Sequence, residues 1–216
     1  MVEALYYVAR TGIAWRDLPS HFGPWESVYT RFRRWCLQGL WELILGFFYE
    51  NVRGCLRFLD GTHIKLHQFG SNPAGGQHAQ AIGRTKGGLT SKICALVDSE
   101  GRLIAASIAP GQTYEVEAAQ PLIERLKKVL LVADKGFDSD AFRRRVFDQG
   151  GLASVPSRSN RLEPAWNHPQ LYKCRHQVEN FFQRIKVFRR ISTRYEKLAH
   201  TFLNFVLFVS IFDWLK

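Results

Sequence analysis

The order of apolar runs and helical patterns along the chain predicts an α/β domain, a mixed sheet flanked by helices. Two apolar runs meet at Ser99–Gly101 in the manner of a β-hairpin. Further strand-like runs alternate with helical patterns, which is typical of crossover connections. The length of 216 residues and the hydrophobic content of 46% are sufficient for one domain with a packed core.

Residues 1–50 are predicted to form a helical region. The first segment is MVEALYYVARTG, which has the apolar spacing of a helix and ends at Gly12, a common helix stop. After a turn rich in Pro and Gly comes ESVYTRFRRWCLQGLWELILGFFYE, which predicts one long amphipathic helix or a helix pair. In a helix-turn-helix arrangement, Arg31, Arg33 and Arg34 would contact DNA phosphates; a solvated helix face explains these arginines equally well.

From residue 55 the pattern changes to strands and helices. A short strand, CLRFLD, ends in Asp60, and the hairpin follows in LTSKICALVDSEGRLIAASIAPG. Next come a helix in EVEAAQPLIERLKK, a strand in VLLVAD, a helix in SDAFRRRVFDQG and a strand in GLASVP. The tail, FLNFVLFVSIFDWL, is apolar over 14 residues. That is too short to cross a bilayer comfortably, so we expect a buried terminal helix and no membrane partner.

The charge of the chain is strongly positive and unevenly placed. The net charge is +11; residues 156–200 carry ten Lys and Arg against three Asp and Glu, whereas residues 1–50 carry five of each. This distribution favours a polyanionic partner, with nucleic acid as the first candidate and an incidentally basic protein as the alternative. The four cysteines form no CxxC pair, which indicates reduced thiols and a cytosolic protein.

Two aspartates follow predicted strands. Asp60 comes after CLRFL and Asp134 after VLLVA, at the sheet edge where α/β proteins place their sites. Either residue alone is more simply explained as the start of a turn. Together, on strands able to lie side by side, they predict a paired-carboxylate site. Asp138 and Asp140 are better explained as turn and helix-cap residues.

A third carboxylate belongs to the segment YKCRHQVENFFQRIK. Glu179 lies seven residues after Tyr172 and seven before Lys186, and seven residues make about two helical turns, so the three share one helix face. Arg175 lies close to the same stripe, and a simple surface ion pair between Arg175 and Glu179 is the alternative. The apolar residues on the other side of the helix favour a helix seated on the core, with this face directed beyond the strand ends.

Three carboxylates from two strands and a helix predict an oxygen-rich site for Mg²⁺ or Mn²⁺. Two such ions, roughly 3.5–4 Å apart, can activate a water or a 3′-hydroxyl and stabilise the leaving oxygen of a phosphodiester. The surrounding basic residues would hold the DNA backbone. A metal ion would therefore explain why a single acid stands on a basic helix face.

The chain resembles transposases of the bacterial IS5 group, within the wider IS4-like DDE set. The signature Tyr-x2-Arg-x3-Glu-x6-Lys is matched by Tyr172, Arg175, Glu179 and Lys186. The segments QAIGRTKGGLTSKICALVD, APGQ and LVADKGFDSD are similar to the central region of the family, and RTGIAWRDLP to its N-terminal region. The similarity extends over essentially the whole chain.

The resemblance implies an RNase H-like catalytic domain over residues 51–216, behind the helical region 1–50. It implies Asp60, Asp134 and Glu179 as the catalytic, metal-binding triad for Mg²⁺ or Mn²⁺, with two ions. It further implies cleavage at the ends of an insertion sequence, then attack of the 3′-hydroxyl on target DNA. By matching position, it implies that Arg175 and Lys186 contact DNA phosphates near the cut, with Tyr172 supporting them. We also expect Arg184, Arg189 and Arg190 of the same basic segment to bind DNA.

The resemblance also bears on partners and location. We expect a homodimer on paired DNA ends, in the bacterial cytoplasm and associated with the nucleoid. Members of the group usually carry some tens of residues before the region that begins here at Met1, so residues 1–50 are expected to be a truncated DNA-binding part. Two alternative functions stay open at this point: an RNase H-like nuclease without strand transfer, and a non-catalytic DNA-binding remnant.

Overall fold

The computed structural model describes residues 1–50, 52 and 54–216. Within these residues the strands are β1 (Leu56–Leu66), β2 (Gly83–Thr85), β3 (Gly88–Val97), β4 (Leu103–Pro110), β5 (Leu130–Ala133), β6 (Leu152–Ser154) and β7 (Thr193–Arg194). The helices are α1 (Val2–Thr11), α2 (Trp25–Leu37), α3 (Leu40–Glu50), α4 (Glu115–Ala118), α5 (Gln120–Ile123), α6 (Asp140–Asp148), α7 (Pro169–Lys173), α8 (His176–Lys186), α9 (Arg189–Ser192) and α10 (Ala199–Trp214).

The sheet is mixed, and β1 is the middle strand of its principal order. On one side of β1 lies β3, antiparallel to β1, and β3 in turn pairs antiparallel with β4 and β2. On the other side lie β5 and β6, which continue parallel to β1. The principal order is therefore β4-β3-β1-β5-β6, with a hairpin half and a crossover half. This arrangement, flanked by helices, confirms the predicted α/β class and its RNase H-like form.

Several elements differ in extent from the sequence prediction. Strand β1 does not stop at Asp60 but continues to Leu66, because its pairing with β3 extends from Phe58 to Lys65. The segment predicted as one helix after the hairpin is two short helices, α4 and α5, with Pro121 in the first turn of α5. Proline lacks the N–H that a continuous helix would need there. The short strands β2 and β7 were not predicted.

The core lies on both faces of the sheet. Neighbouring residues of β1, Phe58 and Leu59, point to opposite faces and belong to two separate apolar clusters. One cluster joins the sheet to helices α1–α3, α8 and α10, and the other joins it to α4–α6. Helix α10 is buried along most of its length, as expected of the apolar tail. None of the described helices is long and apolar enough to span a membrane.

The first three helices share the larger core with the rest of the chain. Leu5 and Val8 of α1 and Phe32 of α2 are fully buried in the same cluster as Phe205 of α10. The α2–α3 segment is a helix pair, the second of the two forms the sequence allowed. The predicted boundary at residue 50 borders residue 51, which is outside the described residues, and it stays a prediction.

Candidate active site

Asp60 and Asp134 lie side by side on neighbouring parallel strands. The pairing of β1 with β5 ends where Leu59 faces Ala133, and the next residue on each strand is the aspartate. The hydrogen-bond ladder to β5 therefore stops at the two acids, although β1 itself continues along β3. The sequence argument placed the first aspartate at the end of a strand; the structure places it at the end of one strand pairing.

Glu179 reaches the same place from helix α8. The buried face of this helix consists of Val178, Phe181, Phe182 and Ile185, which pack into the core beside β1 and β3. Burial of that apolar face turns Glu179 to the opposite side, where its side chain is 47% exposed. Helix α8 begins only at His176, because the turn at Cys174 and Arg175 separates it from α7.

Arg175 connects the carboxylates of the helix and the sheet. Its Nη1 donates to Asp60 Oδ2 at 2.7 Å, and its Nη2 pairs with Glu179 Oε1. The ion pair with Glu179, which sequence analysis kept as an alternative, is present, but the same guanidinium extends 115 residues back along the chain to Asp60. Asp60 Oδ1 accepts from the Gly61 N–H at 2.7 Å, and Asp134 Oδ1 accepts from the Gly136 N–H.

The electrostatics of the site disfavour carboxylates without a cation. Burial raises the pKa of Asp60 above its ordinary value, and the neighbouring carboxylates of Asp134 and Glu115 add to that rise. The Gly61 N–H and Arg175 oppose it, and the net shift of the Asp60 pKa is still upward. The site would therefore be stabilised by further positive charge.

Lys186 and Tyr172 complete the face predicted around Glu179. Lys186 Nζ donates to Thr62 Oγ1 at 2.6 Å, two residues beyond Asp60 on β1. Burial lowers the pKa of this ammonium, and none of the acids in the described residues pairs with it. The Tyr172 ring lies 5.8 Å from the guanidinium carbon of Arg175. Of the four signature residues, Arg175 thus contacts Asp60 directly, Tyr172 and Glu179 contact Arg175, and Lys186 contacts Thr62.

The remaining arginines predicted to bind DNA have different environments. Arg189 is exposed. Arg184 donates from Nε and Nη2 to both carboxylate oxygens of Asp213, and from Nη2 to the Gly101 carbonyl at 2.7 Å. Arg190 is only 4% exposed, pairs with Glu196 and donates to the Ile13 carbonyl, so its placement does not fit the predicted phosphate contact.

Other polar residues singled out in the sequence have structural surroundings. Asp138 is buried and accepts from Arg143, Arg161 and the backbone of Arg158, which leaves little capacity for a ligand. The side-chain cap of α6 is Ser139 rather than either neighbouring aspartate. His63 contacts the Gly111 carbonyl at 2.9 Å. Trp166 is half exposed beside α6.

Glu115 is the residue at this site that sequence analysis missed. A methyl group added at Gly136 would collide with Glu115 Oε2 and would lie 3.0 Å from Asp134 Oδ1, so both carboxylates border the space above one glycine. Lys92 of β3 is also buried, and its Nζ donates to the Thr113 carbonyl at 2.6 Å. Glu115 starts a helix of only four residues, and no spacing in the sequence relates it to the two aspartates.

The donor set fits a divalent cation in its chemistry. Asp60, Asp134 and Glu179 supply hard carboxylate oxygens, the ligands that Mg²⁺ and Mn²⁺ prefer. Across the described residues, no three His, Cys, Asp or Glu side chains are already arranged to hold a metal ion. The cation that Asp60 and Glu179 share in this structure is the guanidinium of Arg175. It shows that these carboxylates can hold positive charge between the sheet and α8.

Two protein families match the chain, and together they cover most of it. The family described as "Transposase DDE domain" matches residues 53–211. A second family, described as "Putative transposase of IS4/5 family", matches residues 1–45. The boundary between the two matches lies close to the predicted boundary between the helical region and the catalytic region.

Individual relatives agree with the family matches. A Brucella ovis protein described as "Putative transposase for insertion sequence element IS6501" is 33% identical over 135 residues, which are 59% of this chain and the whole of that protein. The uncharacterized protein y4sN of Sinorhizobium fredii is 31% identical over 87 residues, 40% of this chain and 62% of that protein.

The solved structures that resemble this fold are more distant. The piggyBac transposase in a synaptic complex with hairpin DNA has a TM-score of 0.48 and 14% identity, and the match covers 81% of this chain and 49% of that chain. The chain thus spans about half the length of that relative. The Mos1 mariner paired-end complex with Mn has a TM-score of 0.33 and 12% identity, over 89% of this chain and 77% of that chain. By the family match over residues 53–211, the chain belongs to the DDE transposases.

Proposed function

We propose that this transposase cleaves DNA at the ends of an insertion sequence in a reaction that requires Mg²⁺ or Mn²⁺, and then joins the freed 3′-hydroxyl to target DNA. The observation that supports this most directly is the convergence of Asp60, Asp134 and Glu179. Two of these carboxylates lie on adjacent strands, and the third is joined to Asp60 through Arg175.

Asp60, Asp134 and Glu179 are proposed to hold the metal at the end of the β1–β5 pairing. Bound there, divalent ions would supply an activated water or 3′-hydroxyl and stabilise the leaving oxygen of the phosphodiester. The Gly61 and Gly136 N–H groups orient the two aspartates, because each donates to one carboxylate oxygen. The other oxygen of Asp60 accepts from Arg175 at 2.7 Å.

The cations around the triad are suited to holding a phosphate. Arg175 has a planar guanidinium that can exchange a carboxylate for a phosphate with the same paired geometry. Lys186 pairs with no carboxylate of the described chain and donates only to the Thr62 hydroxyl, so its ammonium can shift toward an incoming phosphate at little cost. Tyr172 packs against Arg175 and restricts its orientation. Arg189, exposed after α8, extends the same basic segment.

DNA is the partner that this charge distribution favours. The net charge of +11 and the basic residues near α8 would attract phosphates along an extended strand. Assembly as a homodimer on paired DNA ends is proposed from the resemblance to the IS5 group. Arg190, which is buried, and Arg184, which is paired with Asp213, are left out of the proposed DNA contacts.

The test is cleavage of a supercoiled plasmid that carries the ends of the element, in Mg²⁺ or in EDTA. We expect wild type to cut only with Mg²⁺. Glu179→Gln should lose roughly 10²-fold or more of the rate, as preorganised charged groups do when removed. Glu42→Gln, which changes an exposed residue of α3, is the matched control and should cut as wild type does.

The other functions are separated by the same assay and one extension. DNA binding without cutting by the wild type would overturn the proposal in favour of a non-catalytic DNA-binding protein. Cutting without joining, scored by insertion of labelled ends into a target plasmid, would indicate a nuclease. Thermal unfolding of each variant shows whether a loss of cutting is a loss of folding.

A further inference from the structure

Glu115 is a half-buried carboxylate that has no partner among the described side chains. It begins α4, at the end of the loop that leaves β4, and it lines an open cleft of about 510 Å³ with Gly136, Lys92 and Arg158. A carboxylate at such a place ordinarily pairs with the nearest cation, because burial penalises its charge.

The two cations of that cleft, Lys92 and Arg158, donate to backbone carbonyls rather than to Glu115. Lys92 Nζ donates to the Thr113 carbonyl at 2.6 Å. Arg158 donates to the Lys135 carbonyl at 3.0 Å and to the Gly136 carbonyl at 2.7 Å. Both cations therefore line the cleft, and neither forms an ion pair with Glu115. Arg175, the one cation paired with the triad in the described chain, binds Asp60 and Glu179. Among the described residues, neither Asp134 nor Glu115 forms an ion pair of its own.

The carboxylates of Asp134 and Glu115 approach each other beside Gly136. An added methyl group there would collide with Glu115 Oε2 and would stand 3.0 Å from Asp134 Oδ1. One methyl group can meet both oxygens only if the oxygens are close to each other. The absence of a side chain at Gly136 leaves room for Glu115 to approach Asp134. Like charges brought together in this way repel unless a cation lies between them.

We propose that Glu115 is a fourth carboxylate of the metal site, which acts beside Asp134 to hold a divalent cation. The inference rests on the proposed function, because it assumes that Asp60, Asp134 and Glu179 bind the metal. Two divalent ions have more ligand positions than three carboxylates fill, and a fourth carboxylate would take a position that water otherwise occupies. Glu115 supplies further oxygen ligands on the side of Asp134 away from α8.

The experiment measures Mn²⁺ binding to the full chain without DNA, from the electron paramagnetic resonance signal of free Mn²⁺. Glu115→Gln removes the charge and keeps the size of the side chain. We expect it to weaken Mn²⁺ affinity by roughly tenfold or more, the loss seen when groups that support a metal site are removed. Glu117→Gln makes the same change at an exposed residue of the same helix and should bind Mn²⁺ as wild type does.

Each outcome decides the inference. Unchanged Mn²⁺ affinity in Glu115→Gln, with affinity lost in Asp134→Asn, would overturn the role of Glu115 and keep the proposed triad. Unchanged affinity in both variants, or no binding by wild type, would overturn the metal site itself. If Glu115→Gln unfolded in EDTA, the Glu115 side chain would be needed for folding in the absence of metal. That result would also overturn the inference.

Discussion

At the scale of single residues, the site combines groups that would be unfavourable in an ordinary protein surface. Asp60 is partly buried beside another carboxylate, and Lys186 is an ammonium held against a hydroxyl. Both have pKa values displaced toward their neutral forms, mainly by burial. Such displaced groups are frequent where a protein binds charged substrates, because a ligand of opposite charge removes the penalty.

Lys186 gives a prediction that separates stability from binding. Burial lowers the pKa of Lys186, so the unfolded chain binds this proton more tightly than the folded chain does. The free energy of unfolding of wild type therefore rises as the pH increases from the folded pKa to the ordinary value of 10.5. We expect Lys186→Met to unfold at a higher temperature than wild type at pH 7, with the difference fading above 10.5. The same variant should bind DNA with a salt slope reduced by about one. A lower unfolding temperature at pH 7 would contradict the prediction.

At the scale of elements, the basic residues after Glu179 divide between function and structure. Arg184 ties α8 to α10 through Asp213, and to the β3–β4 turn through Gly101. Asp213 is only 6% exposed at its side chain, so its charge is stabilised by pairing with Arg184. Arg190 is likewise enclosed by aromatic rings, including Trp15 at 5.2 Å. Positive charge in the sequence therefore does not by itself identify DNA contacts.

The Arg184–Asp213 pair should contribute to stability rather than to DNA binding. We expect Arg184→Ala and Asp213→Ala each to lower the free energy of unfolding by about 1.5–3 kcal/mol, as loss of hydrogen bonds to charged groups does. The double variant should lose less than the sum, since the two residues are one interaction. Urea unfolding measures this, and DNA affinity at fixed salt is the second readout. An unchanged stability with weakened DNA binding in Arg184→Ala would show the opposite role.

At the scale of the whole molecule, the N-terminal helices and the sheet depend on one core. Helices α1–α3 bury Leu5, Val8, Phe32 and Trp41 in the cluster that also contains Phe205. Burial of each such side chain stabilises a protein by about 1.5–3 kcal/mol. Net stabilities are only about 5–15 kcal/mol, so this shared surface is a large part of the whole.

A chain consisting of residues 51–216 is therefore expected not to fold by itself. Without the helices of residues 1–50, the apolar faces of α8 and α10 would be exposed to water. Circular dichroism with thermal unfolding should show a cooperative transition for the full chain and none for the shorter one. A cooperative transition of the shorter chain would instead support an independent catalytic domain at the predicted boundary.

The sequence by itself determined the class of fold and the order of most elements, and it predicted Asp60, Asp134 and Glu179 as the triad. Hydrophobic periodicity identified the hairpin, β5, α6 and the buried tail, because these elements depend on local patterns of burial. The signature around Glu179 identified a family whose match covers residues 53–211. Those inferences needed only residues that are close along the chain.

Only the tertiary structure decided which charged side chains lie close together around Asp60 and which are enclosed in the core. It continued β1 past Asp60, since strand length depends on the partner β3. It enclosed Arg190 in the core and brought Glu115 to Gly136, contacts between residues far apart in the sequence. Glu115 and Gly136 are 21 positions apart, and Arg190 and Ile13 are 177 positions apart. Residues so far apart share no local period, so their contacts follow from the packing of helices on the sheet.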